Sequence, residues 1–338
     1  MKVVPKRMFW ADCVRSLAVV CIVAAHTLEL PYQLLQEAIR PATLTATPVL
    51  AGVMLLLAKT GVPLFLLLSG ALLIGKDESD RVFLMKRVRR VCVPWFFWTL
   101  LYFLLQREHS FLQTATAQFS FIPVLLCLYL LVPYLRPVAR SVPVKKLGLL
   151  VLAWFFAVSV LPMLRNSLAF PLSVDNGVVR QVISYLGYFL GGFVVTREAF
   201  VPVLKKYRSA LATVFLFLII GSSLALFYTA ENTSALLTYT SPLVIVLSFL
   251  LFMIVKIFLS EETRVNPLIQ KSIYSVSSVS FGMYFFHTLV LQALQVFVPV
   301  QYTISLGSDV LRVLFVCGVS YGVLILVTRI RVLKWVLV

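Results

Sequence analysis

The sequence predicts an all-α, polytopic integral membrane protein of about ten transmembrane helices, with both termini in the cytoplasm. Three observations carry that expectation. The 338 residues are 61% hydrophobic at a mean hydropathy of +0.98, more apolar surface than a soluble domain of this length can hide. The apolar residues gather into ten segments, approximately 9–30, 49–75, 91–106, 118–135, 147–164, 178–196, 209–228, 238–259, 275–298 and 309–328, most of them near the length that crosses a bilayer. Finally, the 30 lysines and arginines fall at the termini and in alternate gaps. The exceptions are Arg40, Arg107, Arg165, Arg180 and Arg312 in the opposite gaps, and Arg15 and Lys59 inside segments. An even number of spans leaves both termini on one side, and the basic excess marks that side as cytoplasmic.

The same bias accounts for the formal net charge of +17, so membrane lipid is an expected partner and nucleic acid is not. Cys13, Cys21, Cys92, Cys127 and Cys317 show no CxxC spacing and mostly sit in apolar runs. They read as small core hydrophobes, supporting neither a metal site nor a disulfide framework. The first segment is too long and too polar for a signal-peptide core and is expected to be retained. The chain is expected to form one transmembrane domain over 1–338, with no appended soluble domain.

Segment 1 carries Asp12, Arg15 and His26 within an otherwise apolar run. Ionisable groups at membrane depth cost a few kcal/mol each and by default mark function. Arg15 and His26 are eleven residues apart, which at about 100° per residue returns them to nearly one helix face and at about 1.5 Å per residue separates them by roughly 16 Å. Arg15 then lies toward the cytoplasm and His26 in the outer half of the bilayer.

Segment 2 contains Lys59-Thr60-Gly61-Val62-Pro63 and then Ser69-Gly70. Gly61 and Pro63 should break or kink it. Lys59 has two readings: a side chain snorkelling to the outer interface, or a cation at the depth of His26. The following loop is expected to end in Phe83-Leu84-Met85-Lys86-Arg87-Val88-Arg89-Arg90. This cluster either orients the chain and binds anionic lipid, or clamps phosphate through its guanidinium groups. Segment 4 carries Pro123 and Pro133, and segment 6 a small-residue seam from Ser184 to Gly192 suited to close helix approach. Asn232-Thr233-Ser234 matches a glycosylation sequon, and His109 reads as a solvated loop residue. In segment 9, His287 either hydrogen-bonds structurally or lines the cavity of His26. No Gly-rich phosphate loop, catalytic-serine elbow or metal-ligand cluster is present in the sequence.

These residues form an ordered series. Trp10-x-Asp12-x-x-Arg15, with ten residues before His26, is followed by Gly61-Val62-Pro63-Leu64-Phe65…Ser69-Gly70 and by Arg87-x-x-Arg90 before Pro94. Leu128-Tyr129-Leu130-Leu131-Val132-Pro133 comes next, and Ser280-Phe281-Gly282-Met283-Tyr284-Phe285-Phe286-His287 lies near the end. The series resembles the membrane-bound acyltransferase family 3 over essentially the whole chain. It departs from the family pattern at Ser16, usually glycine, and at Gln118-Phe119-Ser120-Phe121, usually His-Leu-Trp-Phe.

The resemblance implies an O-acyltransferase of the bacterial inner membrane. It would move an acyl group, usually acetyl, from cytoplasmic acetyl-CoA or another acyl-CoA to a hydroxyl of a cell-envelope glycan, without a metal. Arg15, Arg87, Arg89, Arg90 and Ser69 are then the residues expected at the CoA end. His26 is the expected base or covalent acyl carrier, Glu29 its orienting partner and Lys59 a stabiliser of the developing oxyanion. Asp12, Tyr284 and His287 are further cavity residues. A competing reading of ten helices with buried charges is an exporter of a lipid-linked or polymeric glycan. No halves with matching broken helices support it.

Overall fold

In a computed structural model, residues 7–38, 46–106, 110, 113, 119–167, 178–228, 236–259, 265–300 and 305–330 are described. His109, the Asn232 sequon and Gln118 lie outside them. The described residues form a helical bundle: α1 (Phe9–Ala38), α2 (Ala46–Ala58), α3 (Gly61–Leu73), α4 (Asp80–Gln106), α5 (Phe121–Ser141), α6 (Val144–Phe155), α7 (Leu161–Ser167), α8 (Val178–Val195), α9 (Val201–Lys206), α10 (Arg208–Tyr228), α11 (Pro242–Phe258), α12 (Pro267–Phe297) and α13 (Leu306–Val327). A π-helical turn, Phe156–Val160, joins α6 to α7. Pro162 follows it and has no N–H to return to Val158, a common setting for such a turn.

Every predicted apolar segment coincides with helix. Among the described residues eight helical stretches are long and apolar enough to cross a membrane, and two further apolar stretches, Arg208–Ser222 and Pro242–Phe258, are shorter. The chain is therefore a multi-pass membrane protein in which the large apolar side chains left on the outside of the bundle form its lipid-facing surface.

Segment 2 is broken where its glycine and proline predict. α2 stops at Ala58, Lys59 and Thr60 form a turn, and α3 begins at Gly61. Pro63 cannot donate to the Lys59 carbonyl, so the ladder lapses there and the Thr60 hydroxyl bonds Leu57 O at 2.7 Å. A Cβ on Gly61 would stand 2.7 Å from Ile22 N and 2.8 Å from Ala18 O; hydrogen alone lets the start of α3 rest on α1. The same device binds α3 to α8. A Cβ on Gly70 would meet Phe189 O at 1.7 Å, and one on Gly192 would meet Leu67 O at 1.8 Å.

One expectation is corrected. The basic stretch 83–90 is not a loop but the opening of α4, which starts at Asp80. Phe83 N donates to Ser79 O at 2.9 Å, and an acidic residue in the first turn suits the helix dipole. Phe83 itself is fully buried, its ring edge-on to Tyr129, so burial anchors a helix whose outward face is charged.

Helix ends alternate between two faces of the bundle. The N-terminus of α1, the α3–α4 turn, the α5–α6 turn and residues 196–207 share one face, here the basic end. Arg136 ties α5 to the α3–α4 turn: 4% exposed, it donates to Glu78 O and Asp80 Oδ1, both at 2.8 Å. Its guanidinium also lies 4.5 Å from the Phe83 ring centre.

Candidate functional site

At the basic end, Asp12 gathers the polar groups of α1. Buried at 4% exposure, it accepts from Arg7 Nε at 2.8 Å, from Arg15 at 3.2 Å and from the Ser277 hydroxyl of α12. Arg15 also donates to Ser277 Oγ at 3.1 Å. The arginine is thereby held in a fixed pose while one side of it remains open. That side borders a cavity of about 390 Å³.

Arg87 and Arg90 of α4 line the same cavity, together with Ser69, Tyr129, Tyr284 and Lys76. Helical spacing explains the selection. Residues three apart share a face, whereas Arg89 is turned about 200° from Arg87. Arg89 is not among the lining residues. Among the described residues neither Arg87 nor Arg90 meets a carboxylate, and Arg87 Nε is buried without a hydrogen-bond partner. Lys76 instead pairs with Glu78 at 3.2 Å. A bond from Lys86, with Lys76 close by, holds the Glu78 carboxyl below the usual carboxylate range. The cavity therefore carries surplus positive charge at its mouth and apolar walls from Phe65, Leu68 and Phe281. Such a lining suits a ligand with an anionic head and an apolar tail.

Further along α1 the surroundings change. His26 and His287 meet across α1 and α12 with ring centroids 5.2 Å apart and planes at 46°. His26 is exposed, while His287 is 1% exposed. Its Nδ1 lies 3.0 Å from Met283 O, and its Nε2 has no hydrogen-bond partner. Tyr284 belongs to both regions: it lines the cation-rich cavity, and its ring centre is 6.3 Å from that of His287. The cavity and the histidine pair are neighbours.

Of the two readings of Lys59, the buried cation is the one that fits. Lys59 does not snorkel outward; it is 8% exposed and donates to Glu29 Oε1 at 2.9 Å, with Nζ 5.5 Å from the Tyr239 ring centre. Glu29 thus pairs with Lys59 through one carboxylate oxygen, and its charge also reaches His26.

Some residues of the site were not singled out by the sequence. Tyr129, beside Ser69, lies inside the Leu128–Pro133 motif but reads there as one more apolar position. Lys76 and Arg136 read as topological charges. Ser277 carried a signal that could have found it, a small polar residue directly before the motif of α12. Among the described residues, no group of three or more His, Cys, Asp or Glu is arranged to hold a metal ion.

A multi-pass helical protein with a cation-lined cavity at one end and an imidazole pair beside it has the parts for transferring a group from an anionic carrier. The chain belongs to acyltransferase family 3: the family's sequence model, described as an acyltransferase domain, matches residues 8–329. It is accordingly a membrane acyltransferase. No curated protein matches the chain, and no solved structure does.

Proposed function

We propose that this acyltransferase moves an acyl group, acetyl in the first instance, from acyl-CoA to a hydroxyl of a cell-envelope or lipid-linked glycan at a bacterial inner membrane. The basic end faces the cytoplasm, in keeping with its excess of lysine and arginine. One observation carries the reading. Arg15, Arg87 and Arg90, from two helices far apart in sequence, converge on one cavity whose wall reaches Tyr284 and so the histidine pair.

The guanidinium groups at the mouth bind the CoA phosphates, and the apolar wall takes the pantetheine arm toward His26. At the transfer step the glycan oxygen loses its proton to the imidazole and bonds to the thioester carbonyl carbon. The C–S bond then breaks, and CoA leaves as its thiol after recovering that proton. In the covalent variant the imidazole nitrogen bonds to the carbonyl carbon and the C–S bond breaks, CoA leaving as its thiol with the ring N–H proton. The glycan oxygen then bonds to the acyl carbon as the C–N bond breaks, and its proton passes to the freed imidazole. Lys59, near His26 and already paired with Glu29, adds positive charge where the oxyanion forms.

Two measurements test this. Purified protein in nanodiscs should bind acetyl-CoA, whereas an exporter has no need of it. Envelope glycans from cells lacking the gene should lose an acyl mass, and that mass identifies the group transferred. Failure to bind any acyl-CoA together with an unaltered glycan profile would sink the reading.

A further inference from the structure

Glu29 bonds Lys59 through Oε1 and, among the described residues, makes no hydrogen bond to His26, so no carboxylate holds a ring nitrogen of His26 as one does for most histidine bases. The structure offers a different partner. A carbonyl only accepts, so the contact between His287 Nδ1 and Met283 O places a proton on Nδ1. A second proton would leave a buried, unpaired cation among apolar side chains, at high cost. The ring is therefore neutral and its Nε2 carries a lone pair. That atom is buried without a partner, in a ring centred 5.2 Å from the His26 ring. Buried acceptors are rarely left unused, and each such case asks for an explanation. Dry layers flank the pair, with Val19 and Met283 in one buried cluster and Val23 and Val290 in another. In such surroundings a single hydrogen bond has more orienting force than in water.

We propose that His287 is a positioning residue for His26: its Nε2 accepts the N–H of the His26 imidazole and so fixes which nitrogen of His26 is offered to the hydroxyl or the acyl carbon. With ring centres 5.2 Å apart, a nitrogen of each ring turned toward the other comes within hydrogen-bond reach. No charge needs to be buried for it, since both partners are neutral before the proton moves. The Met283 carbonyl does for His287 what a backbone acceptor commonly does for a functional histidine, setting the tautomer from behind. This inference rests on the proposed role of His26 in transfer.

The test compares three substitutions in the full chain in nanodiscs, reading kcat and KM for acetyl-CoA transfer alongside acetyl-CoA binding. His287→Phe keeps the volume and removes both nitrogens. His287→Asn keeps a donor for Met283 O but has no acceptor at the Nε2 position, whereas His287→Gln can place a carboxamide oxygen there. Phe and Asn should each lower kcat by about 10- to 100-fold, the usual cost of losing the partner that orients an imidazole. KM and acetyl-CoA affinity should hold, and Gln should recover most of the loss. A purely structural role would move binding and kcat together and would not distinguish Gln from Asn. Equal kcat for Gln and Asn, or wild-type kcat in either Phe or Asn, overturns the proposal. Should His287→Phe fail to fold, the Gln and Asn pair decides alone. His26→Ala separates the two levels of argument. If it still transfers at the wild-type rate, the role of His26 falls and this inference with it; if it is inactive while His287→Asn is normal, only this inference falls.

Discussion

Arg15 and His26 share one face of α1, yet their surroundings handle charge differently. Around Arg15, the cations Arg7, Arg87, Arg90 and Lys76 outnumber Asp12 and Glu78, and the surplus fronts an open cavity. Around His26, Lys59 and Glu29 balance one to one, and the neighbouring His287 is packed among buried valine and methionine side chains. On the proposed function the contrast follows from two tasks. A polyanion is bound by charge left uncompensated at the water's edge, where desolvation is cheap. Proton or acyl transfer is better served by a neutral imidazole, whose protonation state a nearby unbalanced charge would fix. On that reading one helix face passes from binding to chemistry over roughly 16 Å.

The sharpest way to break this comparison is His26→Ala. The substitution should lower transfer by about 10²- to 10⁴-fold, or further if the ring carries the acyl group, while acetyl-CoA affinity remains that of the wild type. Trapping an acylated protein by mass spectrometry separates the covalent route from direct transfer. A large loss of acetyl-CoA affinity in His26→Ala would show that the two regions are not distinct.

The complementary change is the double substitution Arg87→Ala with Arg90→Ala. Charge-assisted hydrogen bonds contribute about 1.5–3 kcal/mol each, so the Kd for acetyl-CoA should rise by at least about 10²-fold. The kcat at saturating donor should stay within a few-fold of wild type, and insertion should be unaffected because the other basic loops still orient the chain. An unchanged Kd, measured by calorimetry in nanodiscs, would reduce the cluster to a topological and lipid-binding role.

Asp12→Asn probes the same end more gently. It leaves Arg15 in place but removes the carboxylate that fixes its direction. Acetyl-CoA should bind about 10-fold more weakly, with kcat little changed, a loss near the 1–2 kcal/mol of one oriented, partly buried charge pair. If kcat falls and Kd does not, Asp12 belongs to the chemistry.

The legibility of the sequence divides along the same line. Whatever depends on spacing within one helix could be read: the apolar runs, the break at Gly61 and Pro63, the common face of Arg15 and His26, and the three-residue step from Arg87 to Arg90. Whatever depends on which faces of different helices meet could not. Lys59 finds Glu29 across the α1–α2 contact, and His26 finds His287 although 261 positions separate them. No periodicity encodes such pairings. Arg136 shows the same limit: read only as one basic residue of a cytoplasmic gap, it is buried by a tertiary contact with Glu78 and Asp80. Arg89 shows the opposite case: adjacent in sequence to Arg90, it does not line the cavity that Arg87 and Arg90 share.

The smallest effect is expected at the rim of the basic end, in the turn before α4. Glu78 is flanked by Lys86 and Lys76, two lysines that are well exposed, so their pairing with it adds little to stability. Lys76, however, also lines the cavity. Glu78→Gln should lower Tm only slightly at pH 7 and should tighten acetyl-CoA binding by less than about threefold, because it releases one cation into the surplus. Both differences should shrink in high salt. The direction of the pH dependence follows from the lowered carboxyl. A group held below its ordinary value contributes stability above that value and loses it as the pH falls through the folded-state value. The Tm gap between wild type and Glu78→Gln should therefore be full at neutral pH and close below about pH 4. If Glu78→Gln instead weakens acetyl-CoA binding, Glu78 holds Lys76 in place as Asp12 holds Arg15. The basic end would then be built throughout from oriented cations, with no freely adjustable charge at its rim.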